Sequence, residues 1–292
     1  MIERHLLDDF SMYAIKECCM DNLDSINVIL NKTISNSYLV ASLQEIYLQM
    51  SILELFINNN KEKSWDYLVK SNNCNYTLYK LANNIGKPVK IESEGLPQIE
   101  LTGEIRKTYI LPWDFIDHIK FAFLTKNKEQ LNKILSFNTD LYAPSDVGLS
   151  AEEYHTRFAK TIISFLKKDK PDNVLLEDII DFIKYLEDWA KKKKRKLDKM
   201  GIYIDLNIFK SVLENDNDRI NTLIEKQILS HKEYYSIRGH EPNTEGLYSY
   251  KVSGMCAFLT DIGFKITVES EYLPGFLIDG EFTKEKLTWP MV

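Results

Sequence analysis

Leu39-Val40-Ala41-Ser42-Leu43-Gln44-Glu45-Ile46-Tyr47-Leu48-Gln49-Met50-Ser51-Ile52-Leu53-Glu54-Leu55-Phe56-Ile57 is the stretch that decides the fold. Leu39, Leu43, Ile46, Met50, Leu53 and Ile57 alternate steps of four and three, which puts all six on one side of an α-helix. The same period recurs at Leu78, Leu81, Ala82 and Ile85, ahead of Gly86 as a terminator. Ser150-Ala151-Glu152-Glu153 has the spacing of a capping box, and Tyr154, Phe158, Ile162, Phe165 and Leu166 follow on one stripe. Pro171 stops that helix; Ile179, Phe182, Ile183, Leu186 and Ala190 form the next, predicted to end at Gly201. Tyr248, Val252, Cys256, Leu259 and Ile262 make the last stripe, closed by Gly263. Leu43, Ile46, Met50, Leu53, Phe158, Ile162, Ile179 and Phe182 are the expected core.

Extended chain is predicted in two places. Val89-Lys90-Ile91 and Ile99-Glu100-Leu101 alternate across Glu94-Gly95-Leu96-Pro97, a small β-hairpin within 88–105. Phe264-Lys265-Ile266-Thr267-Val268 alternates as well, a short C-terminal strand. Neither suffices for a βαβ architecture. Leu124-Thr125-Lys126-Asn127 leads to Leu131-Asn132 and Ile134-Leu135. Leu213-Glu214-Asn215-Asp216 leads to Ile220-Asn221 and Leu223-Ile224, and Cys19-Met20-Asp21-Asn22 to Ile26-Asn27 and Ile29-Leu30, at the same offsets. Each reads as helix, polar turn capped by Asn or Asp, helix. The spacing between copies is not that of a strict solenoid. The expectation is a mainly α fold of antiparallel helical hairpins around one core, loosely repeat-like, as a single domain over 1–292. A joint near 138–150, with Pro144, Ser145 and Gly148, is the one candidate boundary.

The 292 residues carry a formal charge of −6, with 44% apolar and 27% charged residues, an ordinary globular composition that excludes wholesale disorder. Mild acidity argues against bulk nucleic-acid binding. Met1-Ile2-Glu3-Arg4-His5 lacks the basic start of a secretory signal, and no uninterrupted apolar run approaches membrane-spanning length. The chain therefore reads as soluble and cytoplasmic, and Cys18, Cys19, Cys74 and Cys256 as reduced thiols.

Catalytic signals are sparse. His5, His118, His155, His231 and His240 are scattered, with no metal-ligand spacing. Asn84-Ile85-Gly86-Lys87-Pro88 lacks the glycines and Ser/Thr of a phosphate loop, and Val252-Ser253-Gly254 the first glycine of a nucleophile elbow. No metal and no organic cofactor is expected. His231, in His231-Lys232-Glu233-Tyr234-Tyr235, has the chemistry of a base, but a histidine at a helix end more often bonds a backbone carbonyl. Lys191-Lys192-Lys193-Lys194-Arg195-Lys196 has the charge to contact phosphates. Glu177, Asp178, Asp181, Glu187 and Asp188 precede it, so it reads first as the solvated basic end of a helix whose dipole favours that order.

Three stretches resemble the Imm49 family of bacterial polymorphic-toxin immunity proteins. They are Phe115 to Leu135; Phe209 through Ile224 to Tyr235; and Gly246-Leu247 through Ala257-Phe258-Leu259 and Asp261-Ile262-Gly263-Phe264 to Val268-Glu269-Ser270-Glu271-Tyr272-Leu273-Pro274. The hairpin near 88–105 falls where the family has a short extended insert, and Tyr235 stands where members often carry Trp. The resemblance covers about 60–278. It implies a non-enzymatic protein that binds and neutralises a co-encoded toxin, and it carries no catalytic residues. The competing reading is a helical-repeat adaptor or scaffold that binds another protein partner, since stacked hairpins make concave binding surfaces. If the toxin is basic, an acidic patch would meet it. Glu241 and Glu245, in the loop after Tyr235, and Glu269 and Glu271, before Pro274, are the candidate partner-binding residues.

Overall fold

The computed structural model describes residues 1–31, 37–104, 112–138, 153–197 and 200–291. Ser150 of the expected capping box, and the suggested joint beyond residue 138, lie outside them. The chain order is α1 (Asp9–Leu30), α2 (Ser37–Asn58), α3 (Lys61–Ala82), β1 (Pro88–Ile91), β2 (Ile99–Thr102), α4 (Pro112–Thr125) and α5 (Lys128–Leu135). It continues with α6 (Glu153–Lys167), α7 (Asp172–Lys193), α8 (Gly201–Leu213), α9 (Asn217–Tyr235), α10 (Tyr250–Asp261) and α11 (Gly275–Asp279). The fold is mainly α, with helices packed on helices and one small antiparallel sheet.

α1 and α3 both pack against α2. Leu43, Met50 and Leu53 are fully buried as expected, as are Phe158, Ile162, Ile179 and Phe182; Ile46 is only half-buried. The other faces of α2 are covered too, at Val40, Tyr47, Ser51, Ile52 and Glu54. Its length and composition would suffice to cross a membrane, yet most of the helix is buried inside this fold. Its polar residues are satisfied there: the Ser51 hydroxyl donates to the Ser64 carbonyl (2.7 Å), and the Tyr250 hydroxyl reaches both serines at 3.1 Å.

Three helix pairs share one turn. α2–α3, α4–α5 and α8–α9 are each joined through a single left-handed residue, Asn59 (φ 48), Lys126 (φ 54) or Asn215 (φ 55). The next side chain, Asn60, Asn127 or Asp216, accepts the backbone N–H three residues on, from Lys63, Gln130 or Arg219. A capping bond of this kind is worth about 1 kcal/mol and satisfies one of the orphan donors of a new helix. The spacing thus located the α4–α5 and α8–α9 turns. The expected third copy, at 19–30, is no turn; it lies inside α1. There Asn22 spends its amide on Gln49 of α2 (3.0 Å), so it ties two helices together instead of starting one.

Other boundaries differ as well. Ile85 is not on α3; it is 53% exposed and bridges to Gly103. Gly201 opens α8, and α7 ends at Lys193 because Lys194 turns left-handed (φ 54). The β-hairpin pairs Val89 with Leu101 and Ile91 with Ile99, with Val89, Ile91 and Leu101 facing the core. Residues 264–268 have the alternating burial of a strand, but among the described residues they have no partner strand. Side-chain amides replace it: Asn217 and Asn221 both donate to the Lys265 carbonyl (3.1 and 2.9 Å) and accept from the Lys265 and Thr267 N–H groups (2.9 and 2.7 Å).

Lys126 and Gly254 both bring α4 and α10 together. Lys126, the left-handed turn residue, sends its ammonium inward to Asp261 Oδ1 (2.8 Å). Gly254 lets α10 lie directly on the α4 backbone at Lys120. The chain ends are also clasped. Ile2 pairs in parallel with Ser270, while Trp289 donates to the Phe165 carbonyl (2.7 Å) and Met291 N–H to that of Leu166 (2.8 Å).

Candidate partner-binding site

The four candidate glutamates lie where the first residues meet the end of α9 and the segment 269–272. Gly246 shapes this end, because any Cβ there would stand 2.6 Å from Tyr235 Cδ1; glycine lets the ring lie flat on the backbone. The Tyr272 hydroxyl accepts the His5 backbone N–H (2.7 Å) and gives its proton to His5 Nδ1 (3.0 Å). That leaves the Nε2 proton for the Glu241 carbonyl at 3.5 Å. The His231 ring lies 4.7 Å from that of Tyr235 and 4.9 Å from that of Tyr272, with Nε2 3.3 Å from the Gly246 carbonyl. Burial pushes His231 down to about 4 and holds Tyr235 and Tyr272 above the usual phenol range. A neutral imidazole bonded to a backbone carbonyl packs and orients its neighbours.

Around these rings, Glu245, Glu269 and Glu271 are exposed and Glu241 is half-buried. The Glu241 carboxylate accepts from Gly239 N–H, and that of Glu245 from the Tyr235 hydroxyl (3.4 Å). The Glu269 carbonyl accepts Ile2 N–H (2.8 Å). Glu271 is held by Arg4: the Arg4 amide donates to Oε2 and its guanidinium to the Glu271 carbonyl, both at 2.7 Å. Arg4 also donates to the Leu247 carbonyl (2.8 Å) and lies 4.4 Å from the Tyr248 ring centroid. Two residues of this site, Arg4 and His5, carried no signal in the sequence; their partners stand more than 230 residues away.

Beside the rings is a cavity of about 520 Å³, walled by Ile116, Ile204, Tyr235 and Val252 among others. Two ion pairs line it: Lys120 with Asp205 (2.5 Å) and Lys251 with Asp117 (2.6 Å). Gln227 Nε2 also donates to Asp205 (2.8 Å). Ser253 is fully buried and donates to the Ser249 carbonyl (2.8 Å). Among the described residues, no three His, Cys, Asp or Glu side chains converge as around a metal ion, and all four cysteines are free thiols. Lys191 to Lys193 form the exposed last turn of α7, and half-buried Trp189 packs edge-on against Tyr154 at 4.9 Å.

Two imidazoles, buried His118 and half-buried His231, make stability pH-dependent. His118 accepts the Tyr79 hydroxyl at Nδ1 (3.0 Å), and burial, opposed by Asp117, pushes it down to about 4. His118 and His231 stay neutral in the fold, whereas the unfolded chain binds protons near its ordinary 6.5. The unfolded state therefore holds more protons between pH 6.5 and 4. Stability is full above 6.5 and is lost as pH falls towards 4, by on the order of 2–3 kcal/mol for His118. Melting midpoints should fall across this window, and less steeply in His118→Asn, which keeps an acceptor for Tyr79. Parallel slopes for parent and variant would refute the assignment.

A family model described as Immunity protein 49 matches residues 99–277. No curated protein and no solved structure matches the chain. The matched span runs from β2 into α11 and takes in the α4–α5 and α8–α9 pairs, His231, Tyr235 and Tyr272 of the ring cluster, and all four glutamates, leaving His5 and α1 to α3 outside it. On a match over more than half of its length, the chain belongs to the Imm49 family of immunity proteins.

Proposed function

We propose that this protein binds and neutralises a toxin encoded beside it, by stoichiometric protein–protein contact and without chemistry of its own, acting in the cytoplasm as a single domain. The observation that carries the reading is the match of residues 99–277 to the Immunity protein 49 model. The two ion pairs of the cavity and the neutral, half-buried His231 are consistent with a binding scaffold. An interface of roughly 1,600 Å² needs no special motif. Co-expression with the toxin of the adjacent reading frame should restore growth, and titration of toxin activity should break at one equivalent. Rescue far below one equivalent would mean turnover. Unchanged toxicity with no complex would sink the reading in favour of an adaptor for another partner.

Glu241, Glu245, Glu269 and Glu271 are proposed to meet a basic toxin surface. Glu241 is half-buried and the Glu271 carboxylate already accepts the Arg4 N–H, so Glu245 and Glu269 should dominate the effect. Reversing all four to lysine should weaken toxin binding roughly tenfold or more, mainly through slower association and most strongly at low salt. A folded quadruple variant with the parent's affinity at two salt concentrations would place the toxin elsewhere.

A further inference from the structure

The dressing of α1 is reversed. Its buried side carries Ser11, Ile15, Asn22 and Ile26, two of them polar. At about 100° per residue, Phe10, Tyr13, Met20 and Val28 fall on the opposite side of the helix. They are 73%, 62%, 54% and 51% exposed, and Leu6 just before the helix is 93% exposed. Single exposed apolar residues are ordinary, but a stripe along one helix marks an interaction surface.

The charges within and beside the stripe select its occupant. Glu17 and Asp24 fall on the same arc, between Tyr13, Met20 and Val28, and with Asp8, Asp9 and Asp21 they stand against one base, Lys16. A second copy fits poorly. Two α1 helices packed antiparallel would set Asp8 and Asp9 against Asp21 and Asp24, and packed parallel they would oppose Glu17 to Glu17. A membrane fits poorly too, since interfacial helices carry lysine and arginine on the polar face. The surface also continues into the acidic end described above, because Arg4 and His5, bound at Glu271 and Glu241, lead directly to Asp8. We infer that the outer face of α1 docks a protein surface on which apolar side chains are interspersed with lysine or arginine, and, resting on the inhibitor reading, that this surface is the toxin's. The inference fits the extent of the family match, which leaves α1 outside. The matched part would then supply the common scaffold and α1 the choice of toxin.

The full-length chain and its Phe10→Ala, Tyr13→Ala and Asp21→Lys/Asp24→Lys variants would be titrated against the purified toxin of the adjacent reading frame. All these positions are exposed, so melting midpoints should match the parent's. Loss of Phe10 or Tyr13 should weaken binding roughly 30-fold, as for an interface hot spot. The double reversal should slow association roughly tenfold at low salt and less at high salt. Folded variants that bind as tightly as the parent overturn the α1 surface while the inhibitor reading stands. A parent that leaves the toxin free overturns both. Two further results overturn the assignment: a dimer of the chain alone that Phe10→Ala dissociates, or cosedimentation with phosphatidylglycerol vesicles that the same variant abolishes.

Discussion

Asp261→Ala should destabilise the protein by about 3–5 kcal/mol, the usual cost of removing one partner from a buried ion pair. Lys126 is 2% and Asp261 3% exposed, so neither charge has water to fall back on. Asp261 also accepts Leu287 N–H (2.9 Å), while Lys126 reaches the Ile278 carbonyl (3.2 Å). One carboxylate therefore joins the α4–α5 turn, the end of α10 and the segment after α11. Its loss strands an ammonium and an amide together. The double variant Lys126→Met/Asp261→Leu should recover much of the loss, because it leaves no charge buried. Urea denaturation of the three variants measures this directly. A loss below about 1 kcal/mol for Asp261→Ala would show that the pair is solvated.

Gly254→Ala should cost about 3 kcal/mol, at the upper end for overpacking. The sign is the informative part, since Gly to Ala in a helix normally gains about 1 kcal/mol. Here the added Cβ would stand 2.0 Å from the Lys120 carbonyl oxygen and 2.7 Å from its carbon. Both are backbone atoms of a buried helix, so α10 must move away from α4. That would disturb the stacked pair Phe123–Phe258, whose centroids are 4.8 Å apart. Gly201→Ala is the control, since a Cβ there meets nothing within 4 Å. A Gly254→Ala protein as stable as the parent would mean that the two helices are not in contact.

What the sequence revealed follows the range of the interactions involved. The stripes of α2, α6, α7 and α10 were legible because one face must be apolar over several turns. Asn127 and Asp216 were legible because a cap acts three residues away. The same rule failed at Asn22, where burial against Gln49 outweighs the turn preference, and it passed over Asn59-Asn60, which makes the same turn. The strand expected at 264–268 has the right alternation, but Asn217 and Asn221 take the partner's place, and amide side chains on a helix give no periodic signal. For the candidate site, the four glutamates were visible as acids in loop segments, three of them exposed and Glu241 half-buried, whereas Arg4 and His5 were not. Nothing local distinguishes an N-terminal segment that docks from one that dangles. α1 escaped notice for the opposite reason: its apolar stripe faces outward.

The clasp between residues 2–5 and 269–272 also imposes an order on synthesis. At roughly 5–20 residues per second, a ribosome needs about 15–55 s after making Ile2 to reach Tyr272. Throughout that time Arg4 lacks the Glu271 and Leu247 carbonyls, and His5 the Tyr272 hydroxyl, that hold them in the finished fold. The nascent chain can assemble α1 to α3, yet its acidic end stays open until the last quarter has emerged. A product cut short before Tyr272 lacks these partners, so limited proteolysis should cleave it near residues 2–5 faster than it cleaves the chain that includes them.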